Sequence, residues 1–336
     1  MYGIIEAGKG FSVESRVACF GGYPFIKLFG HPDSDLDGVF QRYGTDALLI
    51  ESSFPIERIV EIAIDKVKRL ICRGLGGYGF LNCFPNLESL SLSGNLSTFL
   101  PQELKLRHLR IIGDYKHFNW LDFRGIEYLN LRGVRIRDLT GISVCSNLKC
   151  LAFGGRLLES ISGVEDLKDL QSISIVDSYI DDIQALAICD KLKQINLYFL
   201  SKVHSLNVSA EMLENLRLVT CRNFSNLNIN GELHNLKFFE FTDVAGVENI
   251  DFVHSAHDLE AFHQIGKGIV RSNDLSPLLS CRKLRDVLFV DRRGYSHKCD
   301  MIRRELGLEP CSGDGLTGEE RRMLWYSVAE EYEKNL

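Results

Sequence analysis

A six-residue pattern recurs along most of this chain without losing phase: apolar, two variable, apolar, one variable, apolar. It reads Leu87, Leu90, Leu92, then Leu106, Leu109, Ile111, then Ile126, Leu129, Leu131. It continues at Leu148, Leu151, Phe153, at Leu170, Ile173, Ile175, and at Leu192, Ile195, Leu197. Weaker copies begin at Leu213, Leu236, Leu259 and Leu284, and an earlier one at Val67 with Leu70 and Cys72. From Leu87 on, the lead residues fall 19, 20, 22, 22, 22, 21, 23, 23 and 25 apart. A fixed period of this length is the mark of a stacked array, which grows by adding coils and not by enlarging one core.

The second half of each unit carries a different rhythm. Leu158, Ile161, Val164, Leu167 and Leu170 are spaced by three, as are Ile180, Ile183, Leu186, Cys189 and Leu192, and Val247, Ile250, Val253, Ala256 and Leu259. Three is the period of a 3₁₀ turn, in which side chains at i and i+3 eclipse. Each unit therefore reads as a short strand, a turn and a 3₁₀ or short helical return. One coil cannot bury its apolar stripe alone, whereas stacked coils bury a continuous core. Alternation along the strand sends the second and third pattern residues inward and their neighbours to the opposite, concave face.

Over roughly residues 67 to 290 this resembles the leucine-rich-repeat family in its bacterial 22-residue type. The resemblance implies an α/β solenoid with a parallel concave sheet, a 3₁₀ or short-helix convex side and capped ends. It also implies use of the curved sheet as a protein-recognition surface. The family's Asn or Cys, eight places after the lead residue, stands only at Asn95 and Cys221; Asp114, Val134, Arg156, Ser178 and Leu200 fill the slot elsewhere. The side-chain ladder at the turns is therefore expected to be patchy.

Three segments are expected: an N-terminal cap over residues 1–66, the array over 67–292 and a helical C-terminal cap over 293–336. The first is rich in Pro and Gly, with short strands expected at 11–20 and 46–51. Its residues 55–66 read equally as helix, with Ile56, Ile59, Val60, Ala63 and Val67 on one face, or as strand, with Val60, Ile62 and Ile64 alternating. At the other end a helix is expected over 296–306. Thr317 with Glu320 forms a capping box for a second helix through Tyr332, whose Met323, Leu324, Trp325 and Val328 are expected to close the last repeat.

Composition excludes several functions. A net charge of −6 gives no general argument for a nucleic-acid partner. No run of about 18 apolar residues suggests a membrane span, and the first residues lack a secretion signal. The 10 cysteines form no CxxC pair, so they read as reduced thiols in a cytoplasmic protein. Cys145, Cys189 and Cys281 each stand three residues before a lead Leu, a core slot, whereas alternation puts Cys150 on the concave face. Gly74, Gly76 and Gly79 match GxGxxG, but Pro85 stands where a dinucleotide-binding helix would continue. His254, His257 and His263 have no Cys or His pair nearby to complete a zinc set. No cofactor, metal or catalytic group is expected.

What remains is a surface. By phase the concave face carries Arg69 and Arg73, then His108 and Arg110, then Tyr128 and Arg132, with Tyr115 and Trp120 in a loop at the strand ends. Small residues follow at Cys150, Ala152, Ser172 and Ser174, and then Tyr198, Arg217, Phe238 and Glu240. Arg, Tyr and Trp dominate protein interfaces. These twelve larger residues are the candidate partner-binding set. The expected function is a non-catalytic protein-binding solenoid, monomeric or in a heterodimer. A narrower expectation is an immunity protein that covers a bacterial toxin. The alternative is an adaptor presenting a bound protein to a larger complex through a second surface on the N-terminal cap.

Overall fold

The computed structural model describes residues 2–16, 23–30, 36–61, 64–75, 77–94, 100, 104–115, 118–209 and 211–310. The helix expected over 317–332, with its capping box, lies outside these residues, as do Lys116 and His117. The described residues divide into an N-terminal unit up to Arg135 and a C-terminal unit over 136–310.

In the N-terminal unit, β1 (Tyr2–Gly8) and β2 (Phe11–Arg16) form an antiparallel hairpin, and β3 (Pro24–Leu28) lies antiparallel to β2. From β3 on, every pairing is parallel: β4 (Ala47–Glu51), β5 (Arg69–Arg73), β6 (Ser89–Ser93), β7 (His108–Ile112) and β8 (Tyr128–Arg132) follow in order. The parallel ladder therefore starts before Val67. Ala47 pairs with Arg69, so the 22-residue step is already present between β4 and β5. The helix α1 (Leu36–Tyr43) bridges β3 and β4 and buries Leu36, Val39 and Phe40. Residues 56–61 and 64–66 are 3₁₀ turns, which resolves the ambiguous stretch as neither a long helix nor a strand.

The C-terminal unit repeats the same step. Its main sheet holds β9 (Cys150–Gly154), β10 (Ser172–Val176) and β11 (Gln194–Tyr198). Strand β12 (Ser205–Ser209) leaves this sheet, β13 (Asn215–Val219) rejoins it, and β14 (Asn226–Asn230) leaves again. Then β15 (Phe238–Thr242), β16 (Ala261–Ile265) and β17 (Asp286–Phe289) complete it, all parallel. Ile173, Ile175, Ile195, Leu197, Leu216 and Leu218 point inward and are essentially buried. Each such side chain contributes about 1.5–3 kcal/mol.

The returns are 3₁₀ where the period is three, as at Val164–Asp166, Gln184–Ile188, Asp251–Ser255 and Ser276–Ser280. In two coils they are instead strands: β12 and β14 pair in parallel as a separate two-stranded sheet. Here Leu206 and Val208 alternate with Ser205, Asn207 and Ser209, a period of two that the spacing-of-three reading overlooked. Asn228 Nδ2 donates to Asn207 Oδ1 across this pair at 2.8 Å. Cys145, Cys189 and Cys281 occupy the expected buried slot, and Cys189 and Cys281 donate to carbonyls of preceding coils, Val164 and Val253.

The helix α2 (Cys299–Glu305) closes the last coil. It buries Ile302, and Arg303 Nη1 donates to the Val287 carbonyl of β17 at 3.0 Å.

Two lateral rows recur through the stack. The residue just after each main-sheet strand from β5 to β16 is left-handed: Gly74, Gly94, Gly113 and Gly133 in one unit, then Gly155, Asp177, Phe199, Thr220, Asp243 and Gly266 in the other. Several of their N–H groups extend the ladder, as from Asp177 to the Tyr198 carbonyl and from Phe199 to the Val219 carbonyl. From β4 on, the residue just before each strand of the main sheet is charged, with alternating sign, except Gln171 before β10. Lys68 faces Glu88 at 3.2 Å and Arg107 faces Glu127 at 2.8 Å. Glu214 lies between Lys193 at 3.8 Å and Lys237 at 2.9 Å, and Glu260 pairs with Arg285.

Candidate functional site: the open sheet face

The side chains that alternate away from the core form an open face in each unit. In the N-terminal unit, Arg69, Arg73, His108 and Arg110 are half-exposed and Arg132 is exposed. They are not equivalent. Arg69 donates to Asp46 Oδ1 at 2.6 Å and lies 5.5 Å from the centre of the Tyr23 ring, so part of its charge is used within the fold. Arg110 and Arg132 make no ion pair with any of the described residues, and Arg110 Nε is buried without a hydrogen-bond partner among them. They sit on neighbouring strands, where Arg110 is in register with Asn130 and Ile112 with Arg132. Tyr128 is 9% exposed, its ring 6.3 Å from His108.

The loop residues correct the expectation. Tyr115 is only 1% exposed: it is a core residue, and burial holds its hydroxyl above the usual tyrosine range. Its ring starts an aromatic cluster with Phe118, which meets Trp120 at 4.7 Å and Phe123 at 5.3 Å. Trp120 is thus half-buried in a packed turn, and Leu121 beside it is the exposed residue. Phase alone could not separate these readings, because the turn's aromatic side chains fold back over the return segment.

In the C-terminal unit the face is polar, yet buried. Arg217 Nε donates to Glu240 Oε2 at 3.0 Å, and Thr242 Oγ1 donates to Glu240 Oε1 at 3.0 Å. The Arg217 guanidinium also lies 5.7 Å from the Tyr198 ring centre and 5.3 Å from that of Phe238. His263 Nε2 meets Asp286 Oδ2 at 2.5 Å. Phe238, Glu240, His263 and Asp286 are all below 5% exposure and Arg217 is at 9%. Of the predicted residues here, only Tyr198 is half-exposed; Arg217, Phe238 and Glu240 are built into the face as a clamped pair. Cys150, placed on this face by alternation, is buried too. Gln194 and Asn215, absent from the predicted set, are buried on the same face, in register on β11 and β13.

Among the described residues no group of three or more His, Cys, Asp or Glu is placed to hold a metal ion. After Gly79 the chain forms a 3₁₀ turn over Gly79–Cys83 and not a phosphate-binding helix. A cleft of about 300 Å³ in the N-terminal unit is lined about equally by apolar surface, from residues such as Leu100, Leu106, Leu109 and Ile126, and by polar surface that includes Lys105, Arg107 and Asp122. Burial raises the Asp122 carboxyl above its usual range. No helix among the described residues is long and apolar enough to cross a membrane.

No family profile and no curated protein matches the sequence. Solved structures do resemble it in fold. The mouse RP105/MD-1 complex aligns with a TM-score of 0.51 and 15% identity over 80% of this chain and 51% of that one. The fold is that of a leucine-rich-repeat solenoid. An internalin from Listeria monocytogenes aligns over 75% of this chain and 84% of its own, at TM-score 0.48 and 16% identity. A leucine-rich-repeat protein from Leptospira interrogans covers 81% and 82%, at 0.42 and 13%. At these identities the likeness is one of the leucine-rich-repeat fold, and the open face has to be read from its own residues.

Proposed function

We propose that this leucine-rich-repeat chain is a non-catalytic binding protein whose N-terminal open face takes an acidic surface of a protein partner. The observation that carries the proposal is the pair Arg110 and Arg132, on adjacent strands and without a carboxylate among the described residues. A half-exposed and an exposed arginine, flanked by His108 and Tyr128, are the residue types that anchor interfaces. Charge reversal, R110E with R132E, is expected to weaken partner capture at least about tenfold and to flatten its salt dependence. Capture that survives the double reversal unchanged removes this surface.

The finer form of the proposal is an immunity role, in which the occluded partner is a toxin. It is supported by the net charge of −6 and by a face suited to covering another protein. The test is protection of cells from a toxin encoded beside this gene; killing by every such toxin despite co-expression ends the immunity reading and leaves the binding reading standing.

A further inference from the structure

The C-terminal open face carries hydrogen-bond donors with no acceptor among the described residues. Gln194 opens β11 and Asn215 opens β13, and the two are in register on neighbouring strands. Gln194 Oε1 is satisfied by Ser172 Oγ at 3.1 Å. Gln194 Nε2 and Asn215 Nδ2 are both buried and have no partner among the described residues. The side chains are 3% and 8% exposed. Leaving such amides unmet is costly, so a pair of them in register asks for an acceptor. The terminal torsion of an amide is broad, and a modest rotation presents the N–H to the face.

The surroundings decide which acceptor. The carboxylate nearby, Glu240 on β15, is already balanced by Arg217. A further carboxylate would bring uncompensated charge to a recessed place. A neutral main-chain carbonyl would not.

A second observation stands at the other end of β11. Phe199 follows the strand with φ of 58° and is 53% exposed. In the equivalent position of six other coils the residue is Gly. A bulky aromatic side chain held left-handed and turned to solvent is strained, and neither burial nor packing accounts for it. It lies about 17 Å from Gln194 along the strand, the length of about five extended residues. Tyr198 stands between them, half-exposed.

We propose that the strip from Gln194 and Asn215 to Phe199 binds an extended, uncharged segment of a protein partner. Main-chain carbonyls of that segment accept from the two amides, and one of its apolar side chains packs on Phe199. This rests on the reading of the open face as a protein-binding surface but uses a different part of it.

The test uses the full chain. A display library of random peptides of about twelve residues is panned against it, and enriched peptides are synthesised. They are expected to lack acidic residues and to shift the side-chain NH₂ signals of Gln194 and Asn215 in ¹⁵N spectra. Q194A with N215A is expected to lower their affinity about tenfold or more. F199G is expected to raise the melting temperature, by relieving the left-handed strain, while weakening the same peptides. R110E with R132E is expected to leave them unaffected, so failure of this strip and failure of the basic face are told apart. No enriched peptide, an acidic consensus, NH₂ signals that do not move, or affinity indifferent to the folded Q194A/N215A protein each overturn the proposal. So does sedimentation showing a dimer of the wild type that these substitutions dissolve, since the occupant would then be a second copy.

Discussion

Arg217 and Glu240 face each other in register across β13 and β15, with Nε and Oε2 3.0 Å apart and both side chains nearly closed to solvent. Removing one partner leaves the other charge buried. R217M alone is expected to cost about 3–5 kcal/mol in urea unfolding, whereas R217M with E240L is expected to recover most of that loss. A single variant as stable as the wild type would show that the pair is solvated in solution.

The packed interior predicts the next result. Ile173, on β10, is fully buried, and Ile173→Asp would place a charge with no partner between coils. The expected loss is about 3 kcal/mol or more, against about 1 kcal/mol for Ile173→Val. An unchanged melting curve for the Asp variant would contradict the stacking.

Two glycines after neighbouring strands separate crowding from backbone conformation. A Cβ on Gly113, whose φ is 134°, would lie 2.1 Å from the Gly94 carbonyl oxygen. On Gly133, at φ 77°, its nearest neighbour would be 3.6 Å away. Gly133→Ala should therefore cost about 1 kcal/mol and Gly113→Ala several times that. Equal thermal shifts would refute the difference.

The buried thiols of the repeats give a pH dependence. Burial pushes Cys145 up to about 12 and Cys189, Cys221 and Cys281 up to about 11, from an ordinary value of 9.0. The folded chain keeps these protons where the unfolded chain has lost them. Stability is thus untouched well below pH 9 and falls as pH rises from 9 toward 11, by up to about 1.4 kcal/mol per unit for each thiol. At pH 8 these four cysteines are expected to resist alkylation until urea unfolds the chain. Rapid native labelling mapped to Cys145 would argue against its burial.

The strands from β5 onward were legible because lead residues keep phase with a spacing near 22, and burial of a periodic aliphatic side chain follows from stacking alone. Strands β12 and β14 were not, since their period of two is short and sits where a period of three was expected. Strand β4 was expected at 46–51 but not as a rung of the ladder, and β3 escaped altogether, because Ile26, Leu28, Leu48 and Ile50 lack the full lead pattern, although the step from Ala47 to Arg69 is the usual one. At the candidate site, alternation told which way Arg217, Phe238 and Glu240 point but not how deep they lie. Depth comes from pairing between coils, which a single chain pattern does not display. Tyr115 shows the converse: a residue type that favours surfaces, drawn inward by Phe118 and Phe123.

The alternation of sign before the strands, from Lys193 through Glu214, Lys237 and Glu260 to Arg285, gives this array a parity. Duplicating or deleting one coil would set two like charges side by side, where directly opposed like charges are unfavourable. A stretch built this way tolerates growth or loss by even numbers of coils more readily than by odd ones.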